Sequence, residues 1–190
     1  MKRLHLLLAL CAAIVLGGCA TSATDPLVPK TAGNLDLKRY EGKWYELARL
    51  PMTFQRDCAQ SEAHYNLRPD GTMGVLNRCR MFDGEWLRAE GSAWPQEPGH
   101  NDRLWVEFNN WFTNLVPGVA KGEYWVLYVD ERYRTAIVGS PDRKYLWLLS
   151  RTQTLPAVER ESLLAKARQQ GYDTTRLIWR ASDKQIVASH

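Results

Sequence analysis

The sequence predicts an all-β fold: an eight-stranded antiparallel up-and-down barrel with a C-terminal α-helix packed on its wall. Three observations carry that expectation. Short runs rich in aromatic and β-branched residues recur with a period of two. Turn signals separate most of them by only a few residues, and one helical segment follows the last run. Closing such a meander into a barrel removes its unpaired edges. A barrel of about eight strands has room for side chains or for one small ligand.

The first strand covers residues 43–50 (KWYELARL) and stops at Pro51. The second lies near 60–68, where Ala63, Tyr65 and Leu67 alternate with Glu62, His64, Asn66 and Arg68. Asp70-Gly71 is a hairpin signal leading into the third, 72–81. There Met73, Val75, Asn77, Cys79 and Met81 share one face, and Thr72, Arg78 and Arg80 the other. The fourth strand, at about 86–94, follows Asp83-Gly84. In the fifth, 103–108, Leu104, Val106 and Phe108 alternate with Arg103, Trp105 and Glu107. The sixth, seventh and eighth are 122–129, 133–139 and 144–151. A helix then starts at Pro156, carries Glu159 and Glu161 early and Lys166 and Arg168 late, and ends at Gly171. Leu163, Leu164 and Ala167 give it a narrow apolar stripe for the barrel wall. Leu177-Ile178-Trp179 is a candidate final strand.

The N-terminus reads as an address, not as fold. Lys2 and Arg3 precede an apolar stretch from Leu4 to Val15, too short for a membrane span. It ends in Leu16-Gly17-Gly18-Cys19, which resembles the bacterial lipobox whose cysteine becomes the acylated first residue of the mature chain. The alternative is a plain secretory leader with an incidental Cys19. The expected organisation is a leader at 1–18, a lipidated N-terminus and flexible tether at 19–34, a domain at 35–180 and a tail at 181–190. By resemblance to lipoprotein sorting, Ala20 in place of an aspartate favours the outer membrane, with the protein lipid-anchored and facing the periplasm.

Cleavage before Cys19 removes 18 of 190 residues and leaves 172, enough for one domain with a sizeable core. Losing Lys2 and Arg3 lowers the formal net charge from +4 to +2, and no basic run follows, so nucleic-acid binding is not expected. Cys58 and Cys79 are the cysteines that remain beyond Cys19. An even pair in a secreted chain reads as a disulfide, with two free thiols as the alternative. A hairpin centred on Pro69-Asp70 brings the two close but slightly out of register, so the bridge requires a bulge or a loop bending back.

The chain resembles the lipocalins. GKWYE at 42–46, YVDERY at 128–133 and YLWLLSR at 145–151 match the three marker regions of that family in order. KRYEGKWYELARLP, YWVLY and RKYLWLLSR are particularly close to bacterial lipocalins, with apolipoprotein D and plant temperature-induced lipocalins alongside. The resemblance covers about residues 35–180. It implies that Trp44 plugs the closed end of the barrel and Arg151 lies across it, a guanidinium stacked on an indole. Gly42 leaves room for the chain to cross the barrel floor. It also implies a lipid ligand: a fatty acid, lysophospholipid or phospholipid, for envelope lipid storage, transport or membrane maintenance.

Strand parity and the resemblance together select the candidate ligand contacts Tyr65, Val75, Asn77, Val106, Phe108 and Trp147, with Leu67 and Leu104 also inward. Both faces of the sixth strand are apolar, and Trp125 is taken as inward against Tyr124 and Tyr128. Ordinary core packing is the alternative for each of them. Asn77 is the most pointed, because an inward amide on an apolar wall needs a hydrogen-bond partner. The resemblance puts the loop at 109–120 at the open end of the barrel, where Trp111 and Phe112 line the mouth, meet a membrane or partner, or fold inward as a cap.

No catalytic constellation, cofactor motif or metal-ligand cluster is present. The sequence holds no HExxH, CxxC, GxSxG, P-loop or GxGxxG pattern, and beyond the leader its histidines are His64, His100 and His190. Glu46 shares the face of Trp44 and is expected to pair with Arg151 or another cation. The leading reading is a lipid-binding lipoprotein, monomeric or homodimeric. The alternatives are an envelope adaptor that holds a protein partner through its mouth loop, and a lipocalin-fold enzyme.

Overall fold

The computed structural model describes residues 28–108 and 121–187. Cys19, Trp111 and Phe112 lie outside the described residues. The elements are α1 (Leu37–Tyr40), β1 (Gly42–Arg49), a 3-10 turn (Thr53–Gln55), β2 (Cys58–Leu67), β3 (Met73–Met81), β4 (Trp86–Pro95), β5 (Arg103–Phe108), β6 (Lys121–Val129), β7 (Thr135–Gly139) and β8 (Leu146–Ser150). They are followed by α2 (Ala157–Gln169), a second 3-10 turn (Thr174–Arg176), β9 (Ile178–Trp179) and a short α3 (Asp183–Val187).

Strands β2 to β8 pair with their sequence neighbours, all antiparallel, and β1 closes the cylinder by pairing with both β8 and β2. Gly42 to Tyr45 face β2, and Tyr45 to Arg49 face β8, with a bulge between Glu46 and Ala48. One strand thus serves two neighbours because it bends where the barrel shuts. The expected β9 exists as an edge pair on Ala48 and Arg49.

Two apolar cores follow from the alternation. Inside the barrel, Trp44, Tyr65, Met73, Val75, Leu104, Val126, Val138 and Leu149 pack with Tyr40 and Leu37 of α1. Outside it, Leu47, Leu127, Ile137 and Leu148 meet Leu163 and Ala167 of α2. Gly171 ends that helix at φ +85, a backbone state that only glycine adopts without strain. Just beyond it, Tyr172 lies against Gly139, where any side chain would collide with its ring, and its hydroxyl donates to Ser140 O at 2.7 Å. The helix is therefore fixed to the wall by a shaped contact as well as by its apolar stripe.

The boundaries of the folded unit are wider than expected. Pro29 is already buried, Ala32 N donates to Val126 O and Gly33 N donates to Asp102 Oδ2, so the flexible tether does not extend to 34. The tail at 181–190 is also partly folded. Ala181 N donates to Ala59 O, and Ile186 of α3 is buried against Ala59 and Ala181. Composition is a poor guide at residues 29–33 and 181–186, where backbone hydrogen bonds tie the chain to the barrel.

The disulfide forms. Cys58 and Cys79 are bonded with their Cα atoms 5.4 Å apart. Most of the β2–β3 ladder keeps a single register from Leu67↔Met73 to Gln60↔Arg80, and a bulge then shifts Cys58 onto Met81. That bulge is the irregularity the bridge requires.

Candidate ligand-binding site

The barrel floor is built around Trp44, which is fully buried. Its indole donates to Tyr40 O at 2.8 Å, and the Arg151 guanidinium lies 3.8 Å from the indole ring centre. Arg151 donates to four backbone carbonyls, those of Tyr133, Lys43, Arg39 and Tyr40, at 2.7 to 3.2 Å. It thereby ties α1, the start of β1 and the β6–β7 turn together. Gly42 has φ +90, a backbone state strained for any other residue, and the guanidinium lies within contact distance of where a Cβ would sit. Glu46 does not join this assembly. It pairs with Arg49 at 2.9 Å, both groups being buried, because the β1 bulge leaves them on the same wall of the barrel.

Above the floor is a cavity of about 150 Å³, the size that takes up small apolar molecules and not merely single waters. It runs from Tyr40 at the closed end to Phe54 and Tyr145 near the opposite rim. Tyr65, Val75, Asn77, Val106, Phe108 and Trp147 line it, as does Leu104. Leu67 packs against the inner core without lining the cavity.

Trp125 does not line it. Its side chain lies on the outer face of the barrel with Leu127, under the helix side, where its Nε1 donates to Gln96 Oε1 at 3.2 Å and Arg103 stacks on its ring. Tyr124 takes the inward position. The parity of β6 is not continuous, because a bulge between Val126 and Tyr128 switches it partway along. Val126 belongs to the inner core and Val129 packs on it, whereas Tyr128 packs outside. Two aromatic faces and a mid-strand slip leave no periodic signal.

The polar groups around the cavity fall into two sets. At the floor, Tyr124 shares hydrogen bonds of 2.9 Å with both Tyr40 and Tyr65. Burial pushes all three phenols upward, Tyr65 to about 12, so each keeps its proton. Near the rim, Gln55 accepts from Trp147 Nε1 at 2.9 Å and donates to Glu46 at 2.8 Å and to Ser61 at 3.1 Å. Arg49 donates to the carbonyls of Gln55 and Cys58 and so holds the 50–57 segment down. Sequence reasoning missed Tyr40, which lies in a four-residue helix with no strand period, and Gln55, which lies in a three-residue 3-10 turn.

Two of the three carboxylates on the lining, Glu46 and Glu62, are ion-paired. Glu46 has Arg49; Glu62 has Lys43 at 2.7 Å and Arg78 at 2.9 Å. Burial alone raises the Glu62 carboxyl. Hydrogen bonds from Lys43 and His64 and the nearby cationic charge outweigh that, and its pKa falls below the ordinary glutamate value. Glu62 is therefore not poised as a protonated acid. By contrast, Asn77 Oδ1 is buried with no hydrogen-bond partner. An apolar cup holding one orphaned amide oxygen has the chemistry of a binding site for a chain with a polar end.

A lipocalin-like domain profile matches residues 35–182. The outer membrane lipoprotein Blc of Escherichia coli (strain K12) is 37% identical over 180 residues, covering 94% of this chain and 97% of that protein. Temperature-induced lipocalin-1 of Arabidopsis thaliana is 40% identical over 146 residues, 75% of this chain and 77% of its own. Apolipoprotein D of Bos taurus is 33% identical over 135 residues, 67% of each. Among solved structures, insecticyanin from the tobacco hornworm Manduca sexta matches with a TM-score of 0.66 at 20% identity, over 83% of this chain and 87% of that one, a likeness of fold. A closed eight-stranded barrel, the Trp44–Arg151 floor and these relatives have one reading: the chain belongs to the lipocalin family.

Proposed function

We propose that the protein is an outer-membrane lipoprotein, anchored through acylated Cys19 and facing the periplasm, that holds a lipid in its barrel. The observation that carries the reading is the closed-ended apolar cavity with an unpartnered Asn77 oxygen on its wall. Each buried methylene of a ligand contributes about 0.8 kcal/mol, so an acyl chain supplies most of the affinity. A fatty acid, lysophospholipid or phospholipid fits that demand, and the protein acts by reversible capture with no turnover. The ion-paired state of Glu46 and Glu62 agrees with a binding role. The lipobox-like LGGC and the kinship with an outer membrane lipoprotein support the location. No helix among the described residues is long and apolar enough to cross a membrane.

The test uses protein begun at Ala20, so that no acyl chain is attached. Lysophospholipid and long-chain fatty acid are titrated in while tryptophan fluorescence is followed, in wild type and Trp147→Phe. Saturable quenching that is diminished in the variant is expected. A folded protein with no saturable response to either lipid would overturn the proposal.

A further inference from the structure

The outside of the barrel is polar at one end and apolar at the other. Arg151 and the start of β1 mark the floor; the 50–57 segment and the β3–β4 and β7–β8 turns mark the open rim. Among the described residues, the large apolar side chains left exposed are Val28, Phe82, Trp86, Val158, Ile178 and Trp179, at 38 to 82%. Phe82 lies in the β3–β4 turn and Trp86 begins β4, so both stand on the rim. Ile178 and Trp179 pair with Arg49 and Ala48, at the rim end of β1. Of the six, Val158 alone lies near the floor, in the first turn of α2. The β2–β3, β4–β5 and β6–β7 turns at the floor are hydrophilic. Apart from Pro69 and Pro98, their exposed side chains are Asp70, Glu97, His100, Glu131, Arg132 and Arg134.

The N-terminal end of the fold lies at the same rim. Helix α2 starts beyond Ser150 at the floor and ends beside the β7–β8 turn, where Arg143 Nε donates to Gln170 O at 2.7 Å and Tyr172 donates to Ser140 O. Lys30 is clasped to that end. Its N–H donates to Gln170 Oε1 at 2.9 Å, and its carbonyl accepts from Gln170 Nε2 at 3.2 Å. Val28, two residues earlier, is 63% exposed. The nine residue steps from Cys19 to Val28 reach at most about 30 Å. A barrel standing on its floor would use about 20 Å of that reach along α2 alone, the length of its 13 residues. Val28, the β3–β4 turn and β9 also lie on separate arcs of the cylinder, since α2 ends by β7–β8 and β9 flanks β1. Three separated contacts define a plane across the mouth.

Resting on the anchored-lipoprotein reading above, we infer that the open rim is a docking surface for a phospholipid bilayer. The barrel sits mouth-down, with Val28, Phe82, Trp86 and Trp179 in the head-group layer and the floor turns in water. Tryptophan suits that depth, because its ring is apolar and its N–H finds acceptors there. The contact is small, so the rim orients the protein while the acyl chains hold it. A cup held this way opens onto the leaflet and not onto bulk water.

The experiment adds the natural protein to preformed vesicles of phosphatidylethanolamine and phosphatidylglycerol. It is compared with protein begun at Ala20, which keeps every described residue, free in solution. Hydroxyl-radical labelling read by mass spectrometry reports the exposure of each side chain. Phe82, Trp86 and Trp179 should lose reactivity several-fold on the vesicles, while His100 and Val158 at the floor end keep theirs. In Phe82→Asp/Trp86→Asp the protein should stay on the vesicles and Trp179 should regain reactivity, because one of the three contacts is gone. Protection of His100 and Val158 with Phe82 and Trp86 still reactive, or equal protection at both ends, would overturn mouth-down docking. So would protection of Phe82 and Trp86 without vesicles that rises with protein concentration, which would assign the rim to a second copy of this chain. The mass of the mature N-terminus reports separately whether Cys19 is acylated. If it is not, the anchor reading fails, and the same labelling of the Ala20 form in excess vesicles decides the docking by itself.

Discussion

Arg151 illustrates how one side chain can be structural in a site-rich protein. Its guanidinium replaces water for four carbonyls on three separate segments, a geometry that needs a planar fork and not a point charge. Arg151→Ala is expected to cost about 2–4 kcal/mol, because several charge-assisted bonds go at once. Arg151→Lys should recover only part of this, and chemical denaturation of the two variants tests the ordering. Equal stability of all three proteins would remove Arg151 from the floor's support. The Glu46–Arg49 pair makes a different prediction. Both groups are buried, so deleting one strands the other, and Arg49→Ala should cost about 3–5 kcal/mol. The double variant Glu46→Leu/Arg49→Met leaves no orphaned charge and should be markedly more stable than Arg49→Ala alone. A denaturation series over the two singles and the double measures that coupling, and additive losses would contradict it.

Elements show where local chemistry sets the fold. The β6–β7 turn is organised by Asp130, whose carboxylate accepts from the backbone N–H groups of Arg132, Arg134 and Thr135. Burial alone raises this carboxyl, but the hydrogen bonds outweigh it and hold its pKa below the ordinary aspartate value. A carboxyl depressed in the folded state stabilises it fully above its unfolded pKa and loses that contribution as pH falls through the folded value. Asp130→Asn should therefore melt earlier than wild type at neutral pH. The difference should shrink as pH is lowered below the ordinary carboxylate range, which thermal melts across an acid series would detect. A gap unchanged by pH would assign the effect to side-chain shape. The Cys58–Cys79 bridge belongs to the same scale. It closes a loop with a separation of 21 residues, and replacing both cysteines with serine should cost about 3 kcal/mol. These turns and the bridge were legible in the sequence because each depends on a few residues of fixed type: Asp70-Gly71, the marker aspartate, an even pair of cysteines. The inner face of β6 was not, since Tyr124 and Trp125 differ only in which side of a bulged strand they occupy.

At the scale of the whole molecule, the sequence carried the barrel, its closure and the α2 wall contact, because alternation and short connections leave few other ways to bury the apolar faces. It did not carry the hydrogen-bonded set of three tyrosines at the floor. Tyr40, Tyr65 and Tyr124 come from α1, β2 and β6, and only the closed cylinder brings their hydroxyls together. Nor did it carry the ends of the domain, which hydrogen bonds such as Ala32 N to Val126 O and Ala181 N to Ala59 O attach to the barrel. How this unit meets a membrane follows from the same division of labour. Among the described residues the strands bury one face in the cup and pack part of the other under α2, and no helix is long and apolar enough to cross a membrane. Attachment on the reading proposed here rests on the acyl chains of Cys19, and more than one chain is needed for stable anchoring. The decisive comparison is between the natural N-terminus and the same protein secreted behind a plain cleavable leader joined to Ala20. The natural form should stay with the membrane fraction through a high-salt wash, since acyl insertion is not electrostatic, and the second should be recovered in the soluble periplasmic fraction. If the second form also stays with the membranes, the barrel surface itself binds them and the anchor at Cys19 is not what holds the protein there.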